Sequence, residues 1–357
     1  MALFSSEVRE PPADAAETAI VLCNLGTPEA PTPTALRRYL AEFLSDPRVV
    51  ELPRPLWWAI LHGVVLRTRP AKSAAKYARI WREDGSPLKV WTERQALLLR
   101  GWLGERGHRV SVHYAMRYGA PSLPEVLDAA AAQGAARVLI VPAYPQYSCT
   151  TTASVFDAVA AWAGARRAIP ELRFVSRYHD DAGYIAALAR RVRDHWRENG
   201  RADHLLMSFH GVPERTRRLG DPYHDQCRET ARLLAERLGL AADRYTVTFQ
   251  SRFGGARWLQ PYTEPTLVAL ARAGTRSVEV ICPGFTSDCL ETLDEIDREA
   301  RHAFLQAGGT EFHYIPCLND QPAWITALCD IVQRQIAGWP TSAPAAASAA
   351  RADASAT

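Results

Sequence analysis

At 357 residues, the chain is long enough for two domains, and its 47% hydrophobic and 23% charged residues are typical of a globular protein. The formal net charge of +3 argues against nucleic acid as a partner, because nucleic-acid binding relies on a strong positive field. With no run of eighteen apolar residues and no apolar leader within residues 1–12, the sequence predicts a cytoplasmic protein without a membrane-spanning helix.

Short apolar segments alternate with longer amphipathic segments along the chain. The apolar segments are each predicted to form a buried strand: 19–25, 109–114, 137–142, 172–176, 204–209, 245–250 and 277–283. Helical periodicity occurs between them, for example at 124–133, 184–199, 225–238 and 265–273. Alternating strands and helices with nearly continuous apolar strands predict an α/β fold with parallel sheets covered on both faces.

The strands fall into two sets, which predicts two doubly wound, Rossmann-like units with an active-site cleft between them. The predicted division lies near residues 164–171. The first unit would comprise 18–165 with 318–337, and the second would comprise 166–317. The ends, 1–17 and the Ala/Ser-rich 341–357, have too little apolar surface to form a core, so we predict flexible tails.

An apolar segment flanked by arginines precedes the second predicted strand. Residues 52–70 read LPRPLWWAILHGVVLRTRP, with two tryptophans in the apolar part and Arg54, Arg67 and Arg69 at its edges. The segment is too short to span a bilayer, but tryptophan and arginine beside apolar residues suit a membrane surface. A helix packed into the core fits the same sequence.

Polar and aromatic residues follow the ends of four predicted strands. Residues 144–152 follow a strand of the first set, and 208–211, 250–252 and 283–288 follow strands of the second. Ligands of open parallel sheets bind beyond the carboxyl ends of the strands, so we expect the four segments to converge on the cleft. Residues 144–152 could line a flat aromatic ligand or form an ordinary loop.

One histidine and a row of carboxylates are the candidate catalytic groups. His210 lies where a strand meets a Gly-Val-Pro turn, where a neutral imidazole can bind a metal, accept a proton or simply hydrogen-bond the turn. Asp288, Glu291, Glu295 and Glu299 share one side of a predicted helix, and they align more closely still in a wider π-helix. Such a row suits a divalent cation, but it also fits a solvated acidic face near a helix N-terminus.

The cysteines and glycines exclude other site classes. The seven cysteines form no CxxC pair, which favours a reducing compartment over a disulfide framework and lacks the usual spacing of zinc or iron–sulfur sites. Cys149 has no base assigned to it by the sequence, so a thiol hydrolase is weakly supported. Neither G-x-G-x-x-G nor a P-loop occurs, so nucleotide binding has no support.

Seven segments between residues 20 and 319 resemble, in order, the motifs of the ferrochelatase family, the enzymes that insert iron in the last step of heme synthesis. They are LCNLGTPEAPT (22–32), DGSPLKVWT (84–92), MRYGAPS (116–122), YPQYSCTTTAS (144–154), SFHGVPERT (208–216), FQSRFGGARWLQP (249–261) and FTSDCLETLDEID (285–297).

This resemblance implies that His210 and Glu291 are the catalytic and metal-binding pair, facing each other across the porphyrin. It does not decide which of the two binds iron and which takes the pyrrole protons. Asp288, Glu295 and Glu299 match a row that is thought to relay metal or protons. The resemblance assigns the porphyrin pocket to Leu25, Tyr77, Ser86, Arg117, Tyr118, Tyr144 and Trp258.

The resemblance also implies the substrates and the surroundings of the enzyme. Fe²⁺ and protoporphyrin IX are expected to yield protoheme and two protons, with no cofactor required. Residues 52–70 correspond to the apolar lip of the pocket, which favours peripheral contact with the inner membrane. Some relatives hold a [2Fe–2S] cluster with a cysteine matching Cys149 and three more in a C-terminal extension; no cysteine follows Cys329, so no cluster is predicted. Where Cys289 stands, some relatives have histidine.

Two other functions fit many of the same residues. A related chelatase would act on coproporphyrin III, or insert cobalt or nickel into another tetrapyrrole. The single histidine at position 210 favours iron, because small cobalt chelatases generally use more, while the tryptophan-rich lip and residues 144–152 favour protoporphyrin. A non-catalytic porphyrin or heme carrier on the same fold would need neither His210 nor the carboxylate row.

Overall fold

A computed structural model describes residues 17–341 of the protein. The predicted flexible tails, 1–17 and 341–357, therefore lie outside the described residues except for Glu17 and Thr341. Thr341 is buried, and its carbonyl accepts a 2.6 Å hydrogen bond from the backbone N–H of Arg109. The last described residue thus packs against the body of the protein.

Eight parallel strands form two four-stranded sheets with equivalent strand orders. The first sheet is β2 (Ser111–Tyr118), β1 (Thr18–Gly26), β3 (Arg137–Pro142) and β4 (Glu171–Phe174). The second is β6 (Tyr245–Gln250), β5 (His204–His210), β7 (Ser277–Ile281) and β8 (Glu311–Ile315). In each sheet the first strand in the chain lies inside, between the second and the third, as in a doubly wound fold. The predicted α/β class with two Rossmann-like units is confirmed.

The sheet edges differ from the prediction. β4 pairs with β3 and completes the first sheet, so the crossover to the second sheet follows Phe174 and does not lie at 164–171. β8 was not predicted, and β2 extends four residues beyond the predicted strand. The strand predicted at 172–176 is therefore present as β4, but it belongs to the first sheet and not to the second set. β8 alternates polar with apolar residues, a pattern that a search for continuous apolar runs overlooks.

Helices cover both sheets. The α-helices of residues 17–341 are α1 (Pro33–Ser45), α2 (Arg54–Ile60), α3 (Leu66–Ile80), α4 (Pro87–Glu105), α5 (Leu123–Ala132), α6 (Thr152–Gly164), α7 (Ala182–Asn199), α8 (Glu214–Arg218), α9 (Tyr223–Leu238), α10 (Thr263–Arg272), α11 (Arg301–Gln306) and α12 (Pro322–Gln335). A short 3₁₀-helix covers Ala242–Arg244, and two π-helices cover Leu61–Val65 and Glu291–Ala300. No helix within these residues is both long and apolar enough to cross a membrane.

One continuous core joins the two sheets. It runs from β1 and β3 through α7 and α12 to β5 and β7. Trp324 on α12 is fully buried, with its ring 6.0 Å from the rings of both Tyr178 and Tyr184. The Tyr184 hydroxyl donates to the carbonyl of Pro283, just after β7. Because close-packed interiors resist deformation, these contacts fix the carboxyl ends of the two sheets relative to each other.

Candidate active site

One residue, Gln250, links the backbone segments that carry the candidate catalytic pair. His210 ends β5 and pairs in register with Gln250, which ends β6. The backbone N–H of Gly211 donates to the Gln250 carbonyl at 2.8 Å. The Gln250 side-chain amide in turn donates to the Glu291 carbonyl at 2.8 Å. The strand that carries His210 and the helix turn that carries Glu291 are thereby held at the same place.

The hydrogen bonding of His210 defines its tautomer. Its Nδ1 atom lies 2.6 Å from the carbonyl oxygen of Gly211, and a carbonyl can only accept a hydrogen bond. In the neutral ring Nδ1 therefore carries the proton, and Nε2 keeps a lone pair that can bind a metal or accept a proton. The rings of Trp258 and Phe285 lie 6.5 and 6.4 Å from the imidazole, so His210 faces an aromatic surrounding.

Close packing explains the glycine after His210. A Cβ atom at Gly211 would lie 2.8 Å from the Gln250 carbonyl oxygen and 3.1 Å from the Trp258 ring. Trp258 is itself 5% exposed, and its indole N–H has no hydrogen-bond partner in the described part of the chain. The buried hydroxyl of the half-buried Tyr144 also lacks one there. A side chain at position 211 would push the Trp258 ring away from His210.

The carboxylate row lies on a π-helix, the geometry in which its four-residue spacing aligns most closely. Thr292, Ile296 and Ala300 are buried against the protein. Glu291, Glu295 and Glu299 are each partly exposed, which fits their common side of the helix. The structure thus brings three of the four predicted carboxylates into one row.

Glu295, the middle member, is poised to hold a proton. Burial and the neighbouring charge of Glu291 raise the pKa of Glu295 from 4.5 to about 7. The hydroxyl of Ser251 donates to the Glu295 carboxylate and opposes that rise. Ser251 has a φ of 65°, a left-handed conformation that is uncommon for serine. The end of β6 therefore contacts the π-helix twice, through Gln250 and Ser251.

Replacing Glu295 with glutamine should make protein stability less dependent on pH. An acid whose pKa is higher in the folded protein binds extra protons when folded, so its contribution to stability falls as the pH rises from 4.5 to about 7. At pH 8 we expect the variant to exceed the wild type by about 1–3 kcal/mol in free energy of unfolding. The gain should shrink at pH 5 in urea titrations. An equal gain at both values would show that Glu295 is not held in this way.

Asp288 lies apart from the row. Its carboxylate is buried and accepts hydrogen bonds from the Asn319 side chain at 2.6 Å, the Thr292 hydroxyl at 3.1 Å and the backbone N–H of Cys317 at 3.3 Å, with Tyr314 as a further donor. These contacts tie the first turn of the π-helix to the loop after β8.

Beside the row the π-helix carries a buried acid that sequence reasoning missed. Asp294 is fully buried and contacts Arg298 at 2.6 Å, Arg79 at 3.5 Å and Lys76 at 3.6 Å. Burial alone would raise the pKa of Asp294, but the Arg298 hydrogen bond and these positive charges outweigh it, and the pKa is lowered. Since two of the three cations come from α3, no local sequence pattern could have revealed the cluster.

Of the predicted pocket residues, Tyr77 and Leu25 lie near the start of the π-helix, and Ser86 bonds a neighbouring turn. Tyr77 and Leu25 belong to one apolar cluster with Leu290. Burial raises the pKa of the Tyr77 phenol well above its usual value, and the charge of Glu291 adds to the rise. Ser86 is buried and accepts a 2.7 Å hydrogen bond from the Thr27 hydroxyl.

Arg117 and Tyr118 are held by an internal carboxylate. Asp46 accepts from the Arg117 guanidinium at 2.7 Å, the Tyr118 hydroxyl at 2.8 Å and the Ser154 hydroxyl at 2.6 Å. Burial raises the pKa of Asp46, but the donors, led by Ser154, overcome this and lower it. Sequence reasoning missed Asp46 and Ser154, because they lie 71 and 37 residues from Arg117.

The seven cysteines are all unpaired. Cys149 is half-buried, with the Arg48 guanidinium 3.4 Å from its sulfur. Burial raises the pKa of Cys289 well above its usual value, and Glu291 adds to the rise, so this side chain is a neutral thiol. Within residues 17–341, no three His, Cys, Asp or Glu side chains are grouped as ligands for a metal ion.

The sequence matches the ferrochelatase family model over residues 17–336. Relatives named ferrochelatase include one from a Polaromonas species, 70% identical over 94% of this chain and 91% of the relative. Another, from Methylibium petroleiphilum, is 68% identical over 90% and 89%. A third, from a Janthinobacterium species, is 62% identical over 92% and 89%.

A solved structure shares the fold. SirB from Bacillus subtilis with Fe³⁺ aligns with a TM-score of 0.55 over 90% of this chain and 96% of SirB, at 14% sequence identity. At that identity the likeness concerns the fold, which is the chelatase arrangement of two Rossmann-like units. The family match and the identities of 62–70% over nearly the whole chain decide the family itself. This chain belongs to the ferrochelatase family, whose members are metal chelatases of the lyase class.

Proposed function

We propose that this protein inserts Fe²⁺ into protoporphyrin IX, forming protoheme and releasing two protons. The observation that carries the proposal is that Gln250 links the backbones of His210 and Glu291, while the contact of His210 Nδ1 with the Gly211 carbonyl leaves Nε2 of the neutral ring as the atom that can bind a metal or accept a proton. Membership of the ferrochelatase family supports the same reaction.

The chemistry requires two operations at the porphyrin centre. Two N–H protons occupy the hole that iron must enter, so the ring must bend to expose pyrrole lone pairs, and binding elsewhere on the porphyrin can supply the strain. One group must then take protons while a ligand delivers iron. A neutral imidazole at His210 can accept a proton or bind iron, and so can the carboxylate of Glu291.

Glu295 and Glu299 extend this pair outward as a proposed relay for protons or metal. With its pKa raised to about 7, Glu295 can accept a proton near neutral pH and release it again at little cost. The buried contacts of Asp288 support a role in fixing the start of the π-helix, so in this proposal it orients Glu291.

The proposed reaction needs no cofactor, because the iron belongs to the substrates and the protons belong to the products. Absence of a [2Fe–2S] cluster stays a prediction from the cysteine spacing, and iron and sulfide analysis of the purified protein tests it.

Anaerobic incubation with Fe²⁺ and each porphyrin, followed by visible absorption, tests the function. We expect turnover with protoporphyrin IX. Turnover with coproporphyrin III alone would overturn the substrate choice, and turnover with Co²⁺ or Ni²⁺ but not Fe²⁺ would overturn the metal. Tight porphyrin binding with no insertion of any metal would indicate a carrier.

We also propose that a cytoplasmic enzyme touches the inner membrane through residues 52–70. None of the seven residues of α2 is buried, whereas Leu61 and Leu66 farther along the segment pack into a core cluster, so the segment presents one face to the protein and one to the surface. Leu56, Trp58 and Val64 are 55, 64 and 58% exposed, with arginines at both ends of the segment. Apolar and basic side chains together suit the surface of an anionic bilayer.

Replacing Trp58 and Val64 together with serine should weaken binding to phosphatidylglycerol-containing vesicles at least about tenfold, since two large apolar contacts are lost. Co-sedimentation measures the change. The matched control is Ile169→Ser. It removes a 53% exposed apolar side chain just before β4, at the amino end of that strand and away from the carboxyl strand ends that carry the site. Equal vesicle binding by the double variant and the wild type would rule out this surface.

A further inference from the structure

Lys76 links α3 to Glu299, the last member of the carboxylate row. It lies on α3, and its Nζ is 2.9 Å from one Glu299 carboxylate oxygen and 3.1 Å from the other. The same Nζ lies 3.6 Å from a carboxylate oxygen of Asp294. A single ammonium group thus serves two acids of the π-helix.

The three glutamates of the row differ in how many positively charged side chains contact them. Within residues 17–341, neither Glu291 nor Glu295 has a basic side chain within the 4.0 Å range of an ion pair. Glu299 has two, since Arg298 also contacts it at 2.8 Å. A cation that approaches from outside therefore meets a carboxylate already paired with Lys76, and beyond it two that are unpaired.

We propose that Lys76 is a positioning residue which occupies the outer carboxylate of the row and leaves it when the substrate cation arrives, so that it sets the apparent metal affinity. This inference rests on the proposed function of the row. It adds a residue from α3 that neither the motifs nor the acidic spacing indicated.

The geometry permits the exchange. Carboxylate oxygens suit a hard divalent cation, which would compete for the same atoms that bind the ammonium group. Lysine carries its charge on a flexible four-carbon stem, and Lys76 is 37% exposed, so it can move into water. Arg298 would keep Glu299 in place after Lys76 leaves.

Lys76→Gln should therefore strengthen metal binding. With Co²⁺ alone and no porphyrin, isothermal titration should show an affinity about two- to fivefold higher than in the wild type, the range expected for removing one partly exposed competing charge. The KM for Fe²⁺ should fall by a similar factor, with kcat and the KM for porphyrin unchanged. Lys76→Arg, whose planar guanidinium can grip a carboxylate with two bonds, should bind Co²⁺ no better than the wild type.

Arg79→Gln is the matched control. It removes one positive charge from the same helix, but Arg79 contacts the buried Asp294 and not Glu299. Unchanged Co²⁺ affinity in Lys76→Gln, an equal gain in Arg79→Gln, or a gain in Lys76→Arg would each overturn the inference.

If the wild type fails to insert iron while Lys76→Gln still binds Co²⁺ more tightly, the proposed function is wrong and Lys76 remains a competitor for the cation. If the wild type is active and its metal affinity equals that of Lys76→Gln, only the role of Lys76 is wrong.

Discussion

Replacing His210 with alanine is expected to lower the kcat of iron insertion by about a hundredfold or more, while protoporphyrin still binds. The change removes the imidazole of His210, and with it the Nε2 lone pair that can bind iron or take a proton. The proposed porphyrin-binding residues Tyr77 and Trp258 are left in place, so porphyrin affinity should change little. Anaerobic steady-state assays and fluorescence quenching by bound porphyrin measure the two quantities.

A second histidine on the same strand provides the control. His204 begins β5, and its ring hydrogen-bonds the Thr246 hydroxyl at 2.8 Å. Six residues of extended strand place it about 20 Å from His210, at the amino end of the same strand. His204→Ala should keep near-normal turnover. Full activity in His210→Ala would refute the catalytic assignment, and loss of activity in both variants would point to general damage.

Replacing Glu291 with glutamine should also remove most of the activity, by about a hundredfold. Glutamine keeps the shape of the side chain but removes the charge that attracts Fe²⁺ and the base that accepts pyrrole protons. The hydrogen bond from Gln250 reaches the Glu291 carbonyl, which the substitution leaves intact, so the first turn of the π-helix should stay in place. The loss should therefore occur in kcat and in the KM for Fe²⁺, with porphyrin binding preserved.

Asp297→Asn on the same π-helix is the control for charge removal. Asp297 forms an ion pair with Arg301, one turn onward and outside the row. This variant should insert iron at the wild-type rate. If it lost as much activity as Glu291→Gln, the effect would belong to the helix as a whole. If Glu291→Gln were fully active, His210 would have to act without a carboxylate partner.

The site depends on contacts between distant parts of the chain. Gln250 sets the relation of His210 to Glu291, and Asp46 orients Arg117 and Tyr118. Both are buried polar groups whose hydrogen bonds are satisfied by residues far away in sequence. Buried polar networks of this kind define one geometry, because leaving any donor or acceptor unpaired is costly.

The sequence by itself determined the fold class, the family resemblance and the two catalytic candidates. Those conclusions rest on local signals: apolar strands alternating with helices, seven short motifs, a histidine at a strand end and glutamates four residues apart. The carboxylate spacing predicted a helix, and it is also compatible with the wider π-helix that is observed at Glu291–Ala300.

Only the tertiary structure decided how these groups are arranged. Lys76 and Glu299 are 223 residues apart, and their ion pair exists because α3 packs on the π-helix. The same holds for Asp288, which lies one turn before Glu291 in sequence but is buried under Asn319 and Tyr314. β4, predicted as a strand of the second set, belongs to the first sheet because its backbone pairs with β3. Local patterns report which face of an element is apolar, whereas partners across the fold are chosen by packing, which no short stretch of sequence encodes.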